Sequence, residues 1–209
     1  GQYFDFTPQC SIHLNGFEVP KHVWEGDATV RNMFVAKKTE YAVAFCTAVM
    51  RNIIVTQVHM TYIGRCVRLM YDAYFAQKRY DRQPTLLKLW ELLKEQLEKE
   101  GLSEEKRMLL EIITSLEEYT IGVYDMFAHP SNLDIYSRLV GFGLLHIPEA
   151  VWEPVMVTMM HFLAMRIDGN QEELVAARLV VDEAQVLCEK GSSAQQLLYA
   201  IETYRKRGG

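Results

Sequence analysis

Between residues 28 and 126, apolar side chains return at intervals of three, four or seven, the spacing that gathers them on one helical face. Val30, Phe34, Tyr41, Phe45 and Ala48 form the first face, and Asp27 stands before it as the cap of a helix beginning near Ala28. Arg51-Asn52 interrupts the pattern. Thr56 then caps a second helix with Val58, Tyr62, Cys66, Leu69 and Ala73 on its face. Tyr80 to Pro84 is a polar linker. Leu86, Leu89, Trp90, Leu93 and Leu97 define a third, strongly amphipathic helix that stops before Gly101. Its other side carries Lys88, Glu91, Lys94, Glu95 and Glu98, the composition of a solvated face. Ser103-Glu104-Glu105 opens a fourth helix, with acids where the helix dipole favours them. Met108, Leu109, Ile112, Ile113, Leu116 and Tyr119 are its apolar positions, and it is expected to reach Met126.

The two ends read differently. Gln2 to Phe6 alternates aromatic and polar residues, Thr7-Pro8-Gln9 is a turn, and Cys10 to Leu14 alternates again. Two short strands, or one strand and an extended segment, are predicted before Asn15-Gly16 and Pro20 break the pattern. After the turn residues His129-Pro130-Ser131-Asn132, the apolar run Leu139–Ile147 predicts a buried strand. Pro148 suits the start of a helix over 149–167, which Asp168-Gly169-Asn170 should end. Leu179-Val180-Val181 predicts a second buried strand, running straight into Asp182-Glu183. Gln185–Lys190 and Ala194–Arg207 complete the chain as helix around Gly191-Ser192-Ser193. Strand, helix, strand, helix over 139–207 is the alternation of a parallel sheet.

Composition narrows the class. The 209 residues are 49% hydrophobic, enough for one sizeable core with an insertion, and the net charge of -5 argues against a generally basic nucleic-acid surface. Cys10, Cys46, Cys66 and Cys188 have no CxxC spacing and read as reduced thiols of a cytoplasmic protein. The histidines form no HExxH, so zinc is not expected. Val151 to Ile167 is the most hydrophobic segment, but Glu153, Pro154, His161 and Arg166 interrupt it. It reads as a core helix rather than a membrane span.

The acid pair is the candidate chemistry. Ligands of open α/β sheets bind at the carboxyl ends of strands, where Asp182 and Glu183 would lie. In nucleotide hydrolases the first acid serves Mg²⁺ and the second polarises the attacking water. An ordinary strand followed by the acidic first turn of a helix has the same sequence. Such an enzyme also needs a phosphate cradle, and no G-x-x-x-x-G-K-[ST] occurs here. Gly141-x-Gly143 lacks the third glycine and sits inside a predicted strand, where close packing accounts for it.

The order of these elements resembles the ATPase domain of conjugative-transfer and type IV secretion motors, RecA-like hexameric ATPases. The resemblance covers essentially the whole chain. It rests on His13-Leu14-Asn15-Gly16-Phe17-Glu18, the helical block, Ser131-Asn132-Leu133 and the run Gly143-Leu144-Leu145-His146-Ile147-Pro148. Its most specific parts are Val180-Val181-Asp182-Glu183-Ala184 and the closing Tyr204-Arg205-Lys206-Arg207-Gly208-Gly209. The chain departs from that family at Gly16, where a proline is frequent, and at Gln185, where a histidine or tryptophan is frequent.

The resemblance implies an α/β fold: part of a RecA-like core from 1–20 and 128–209, with an all-helical insertion over 21–127. It implies that Asp182 coordinates Mg²⁺, that Glu183 orients water, and that Arg205, with Lys206 and Arg207 beside it, reaches a phosphate as an arginine finger. It further implies ATP as the nucleotide, with the phosphate cradle and a further glutamine-bearing strand outside this sequence. The chain alone is then expected to be inactive and to hold no cofactor. A homo-hexamer at the cytoplasmic face of the inner membrane is implied, meeting secretion-channel proteins and DNA or its relaxosome. Two other readings compete. One is a helical protein-interaction module with a fortuitous acid pair. The other is a DEAD-like helicase fragment, suggested by Asp182-Glu183-Ala184-Gln185 but lacking the following Ser-Ala-Thr motif.

Overall fold

Short polar signals bound the helices. The Asp27 carboxylate accepts the Val30 backbone N–H at 2.9 Å and starts α2, Ala28–Val49. Thr56 precedes α3, Gln57–Gln77, and Thr85 precedes α4, Leu86–Lys99. Ser103–Thr120 is α5. A short helix that the spacing did not predict, α1 (Lys21–Glu25), forms behind Pro20, whose carbonyl accepts the N–H groups of Val23 and Trp24. The computed structural model describes residues 1–6, 11–133, 137–144, 146–172 and 180–182, without the side chains of 170–172. The fold is helix-dominated, with one small parallel sheet.

Two compact units divide the chain: Gln9–Leu133, and Gly1–Pro8 together with Asp134–Gly209. In the helical unit α2 packs on α3 and α4 on α5, and α3 also packs on both α4 and α5. Its core includes Phe45, Ile63, Tyr71, Leu89, Leu93, Ile112 and Leu116, all withdrawn from water. Burial of a Leu, Ile or Phe side chain contributes about 1.5–3 kcal/mol, so these positions carry the unit. The α4 stripe is as the sequence predicts. The α3 face is rotated from it: Ile63, Val67, Met70, Tyr71 and Tyr74 join Tyr62 and Cys66 in the core, while Leu69 and Ala73 face out. Contact with α2, α4 and α5 widens the buried arc of α3 beyond one stripe.

α5 also stops earlier than expected. The N–H groups of Ile121 and Gly122 both donate to the Glu117 carbonyl at 3.0 Å, and a 3-10 turn follows at Asp125–Phe127. Residues 11–14 form no strand.

In the other unit, β1 (Gln2–Asp5) pairs in parallel with β2 (Val140–Gly143), Tyr3 opposite Gly141 and Phe4 opposite Phe142. β2 is shorter than the apolar run that announced it. Parallel neighbours need a long crossover, and between these two strands the chain builds the whole helical unit. α6 spans Glu149–Glu172, with Val151, Trp152, Val155, Met156, Val157, Met159 and Phe162 buried. It runs through Gly169, where an added Cβ would meet nothing within 4 Å. An isolated glycine costs a helix only about 1 kcal/mol, too little to end it. No helix among the described residues is long and apolar enough to cross a membrane.

Candidate functional site

The acid stretch lies beside the carboxyl end of β2. Trp152 and Met156 of α6 form an apolar cluster, against which Leu144, Ile147, Met160 and Val181 pack. Leu144 directly follows the last residue of β2, and Val181 directly precedes Asp182. One cluster therefore gathers the strand end and the approach to the acids. The local conformation differs from the buried strand that the sequence predicts. Val180 and Val181 are not strand, Val180 is 79% exposed, and Asp182 is an exposed turn residue. A strand needs a neighbour to take its backbone hydrogen bonds, and the described sheet has only β1 and β2, paired with each other. Glu183, Gln185, Arg205, Lys206 and Arg207 lie outside the described residues, as does the helix expected to close the chain.

Mg²⁺ takes one or two carboxylates and fills its remaining positions with water and substrate phosphate. The exposed Asp182 carboxylate suits that share as a hard oxygen donor. Among the described residues, no group of three or more His, Cys, Asp or Glu could hold a metal by itself.

The helical unit is built around polar contacts that the sequence reading did not single out. Residues 13–19 pass into its core as a clasped segment, with Leu14, Asn15, Phe17 and Val19 buried. The Asn15 amide donates to the Pro84 carbonyl at 2.8 Å, and its oxygen accepts the Phe17 N–H at 3.0 Å. Gln83 accepts the Val19 N–H, the Ser131 hydroxyl accepts the Asn15 N–H, and the Tyr71 hydroxyl donates to the Phe17 carbonyl at 2.7 Å.

Lys38 of α2, 2% exposed, donates to the Gly16 carbonyl at 2.6 Å and lies 5.0 Å from the centre of the Phe34 ring. Burial pulls its amine down to about 7, against the opposing pull of the Glu18 charge. The signal was present in the spacing: Lys38 falls four residues after Phe34 and three before Tyr41, on the apolar face of α2.

A second polar group pins α3 to α5. The Thr56 N–H donates to His59 Nδ1 at 3.1 Å, leaving the ring proton on Nε2, 3.0 Å from Glu111 Oε2. Glu111 also receives Arg107, which bonds Glu104 at 2.8 Å. This Thr–His–Glu chain has the order of an acid–base relay, yet His59 is buried and its Nδ1 is spent on the helix start. It works as a cap and a strut.

No protein family, curated protein or solved structure matches the chain.

Proposed function

We propose that the chain is the acid-pair portion of a conjugative-transfer or type IV secretion motor ATPase, with a helical insertion in its RecA-like core. The observation that carries the reading is the parallel pairing of β1 with β2 across an entire compact helical unit. Parallel strands belong to sheets whose crossovers lie on their faces, and a crossover can hold an inserted unit without disturbing the pairing. The apolar cluster joining the end of β2 to Val181 adds support, because it gathers the acid stretch where such sheets bind ligands.

In this reading residues 1–20 and 128–209 belong to the core and 21–127 form the insertion. Asp182 holds the Mg²⁺ side of ATP, Glu183 orients the attacking water, and Arg205 answers phosphate charge in its own or a neighbouring subunit. The phosphate cradle has to come from sequence other than these 209 residues, which contain none. The machine would be a homo-hexamer on the cytoplasmic face of the inner membrane, working with channel proteins and coupling ATP hydrolysis to pilus assembly or to the transfer of DNA or protein.

The test is ATP turnover by the full gene product that contains this chain, wild type against Glu183→Gln. Turnover should fall by at least about 100-fold, the share of a general base, while nucleotide binding persists. The 209-residue chain alone should not hydrolyse ATP. Turnover indifferent to Glu183→Gln, or a full gene product without any, would sink the motor reading and leave the helical unit as an interaction module.

A further inference from the structure

The outer side of α2 is unlike that of the other amphipathic helices. α4 turns Lys88, Glu91, Lys94, Glu95, Glu98 and Lys99 to water within its 14 residues. α2 is longer, at 22 residues, and its exposed charged side chains are Lys37 and Glu40 alone. Val30 and Met33 are exposed beside them, Met33 by 61%. A helix that is apolar on every side is normally covered on every side.

The exposed positions also have a period. Val30, Met33, Lys37, Glu40, Ala44 and Thr47 are all exposed and follow one another at three, four, three, four and three residues. That is the spacing of a coiled-coil seam, the narrow stripe that one helix presents to another. The side that α2 turns into the helical unit is a different one, carrying Phe34, Lys38, Tyr41, Phe45 and Val49. The seam is symmetric about the middle of the helix, between Lys38 and Thr39. Val30 stands as far from that point as Thr47, Met33 as far as Ala44, and Lys37 as far as Glu40. In an antiparallel pair of identical helices each position meets its mirror position. A long Met33 then faces a small Ala44, and Lys37 faces Glu40 twice, once on each side of the axis. A parallel pair would set lysine on lysine and glutamate on glutamate. The charges therefore fit a second copy of the same helix, and in one orientation.

We propose that α2 pairs with α2 of a second copy of this chain, antiparallel about a two-fold axis, through Val30, Met33, Lys37, Glu40, Ala44 and Thr47. Such an interface uses the same patch on both copies and closes at two. The apolar and small positions supply the packing. Lys37 and Glu40 at its centre fix the register and orientation, as a polar layer does in a coiled coil. The pairing does not rest on the motor reading. Hexamers of dihedral symmetry contain such two-folds, and a dimeric interaction module would use one equally well.

Sedimentation equilibrium of the 209-residue chain, up to about 100 μM, should show a monomer–dimer equilibrium. Glu40→Lys sets Lys37 against a second lysine on both sides of the axis and should weaken the dimer at least about tenfold, as two attractive pairs become two repulsive ones. Lys37→Glu should do the same. The double variant Lys37→Glu, Glu40→Lys swaps the charges and should return the dimer to within about threefold of wild type. The two single variants, mixed, should pair with each other in preference to themselves, a result that neither misfolding nor a change in net charge produces. A chain that stays monomeric over the whole range would overturn the proposal. So would an assembly indifferent to either single reversal, or one that neither the double variant nor the mixture restores.

Discussion

Raising the pH should stabilise the helical unit through Lys38, and Lys38→Met should remove that gain. The ordinary value of the amine is 10.5, and burial brings it to about 7 in the folded chain, with Glu18 opposing. The sign follows from the proton count. Between those two values the unfolded chain holds the proton and the folded chain does not, so unfolding takes up a proton and stability rises with pH. Below about 7 both states are charged and the folded state bears the full cost of the buried ammonium; above about 10.5 that cost is gone. The gap of about 3.5 pH units corresponds to at most about 5 kcal/mol, at about 1.4 kcal/mol per unit. From about pH 7.5 to about pH 9 the gain should be about 2 kcal/mol.

Methionine fills similar space without a charge. It leaves the Gly16 carbonyl without the 2.6 Å bond, a cost of about 1–3 kcal/mol at every pH and therefore an offset, not a slope. Urea unfolding followed by far-UV ellipticity at each pH provides the measurement. The buried thiols work in the opposite direction. Burial pushes Cys46 and Cys66 up to about 12, so their contribution is lost as pH rises, but it is common to both proteins and cancels in the difference. Parallel slopes for wild type and Lys38→Met would refute the reasoning, since they would mean that the folded chain keeps Lys38 as hydrated as the unfolded one.

Two further substitutions probe the helical unit. A methyl group added in Gly16→Ala would stand 2.1 Å from Tyr41 Cζ, and that buried ring is flanked by Phe17 and Phe45. The ring has little room to give, and about 3 kcal/mol of destabilisation is expected in a thermal melt; an unchanged midpoint would show that the clasp can shift. His59→Ala removes the acceptor of the Thr56 N–H and a bond to Glu111, so about 2 kcal/mol should be lost in urea unfolding. Faster exchange of the Thr56 amide should accompany it, and a silent substitution would mean that the cap carries no weight.

What the sequence could determine by itself is local. Asp27 and Thr56 stop the chain from entering a helix earlier, because a short polar side chain there bonds the orphan N–H groups of the first turn. The stripe of Leu86, Leu89, Trp90 and Leu93 faces the core because no other face of α4 is apolar. α1 escaped notice since five residues are too few to show a period. The ends of α5 and α6 differ from the sequence pattern because apolar spacing and single glycines only bias a boundary, whereas the Glu117 carbonyl, taking the N–H groups of Ile121 and Gly122, closes α5.

Tertiary structure decided the rest. α3 packs against α2, α4 and α5 and buries more than its stripe announces. Lys38 becomes an interior amine only because residues 13–19 fold back over it, and no local pattern contains that return. Tyr62 precedes Glu100 and Glu105 by 38 and 43 residues and meets them only through the packing of α3 against the α4–α5 junction. The parallel pairing of β1 with β2 is likewise a contact across the whole helical unit. Val180 and Val181 have the composition of a strand, but strand formation depends on a neighbour that residues 180–182 cannot supply for themselves. Helical periods and caps are read from adjacent residues, while burial, hydrogen bonds between helices and strand pairing are properties of groups that the chain brings together from a distance.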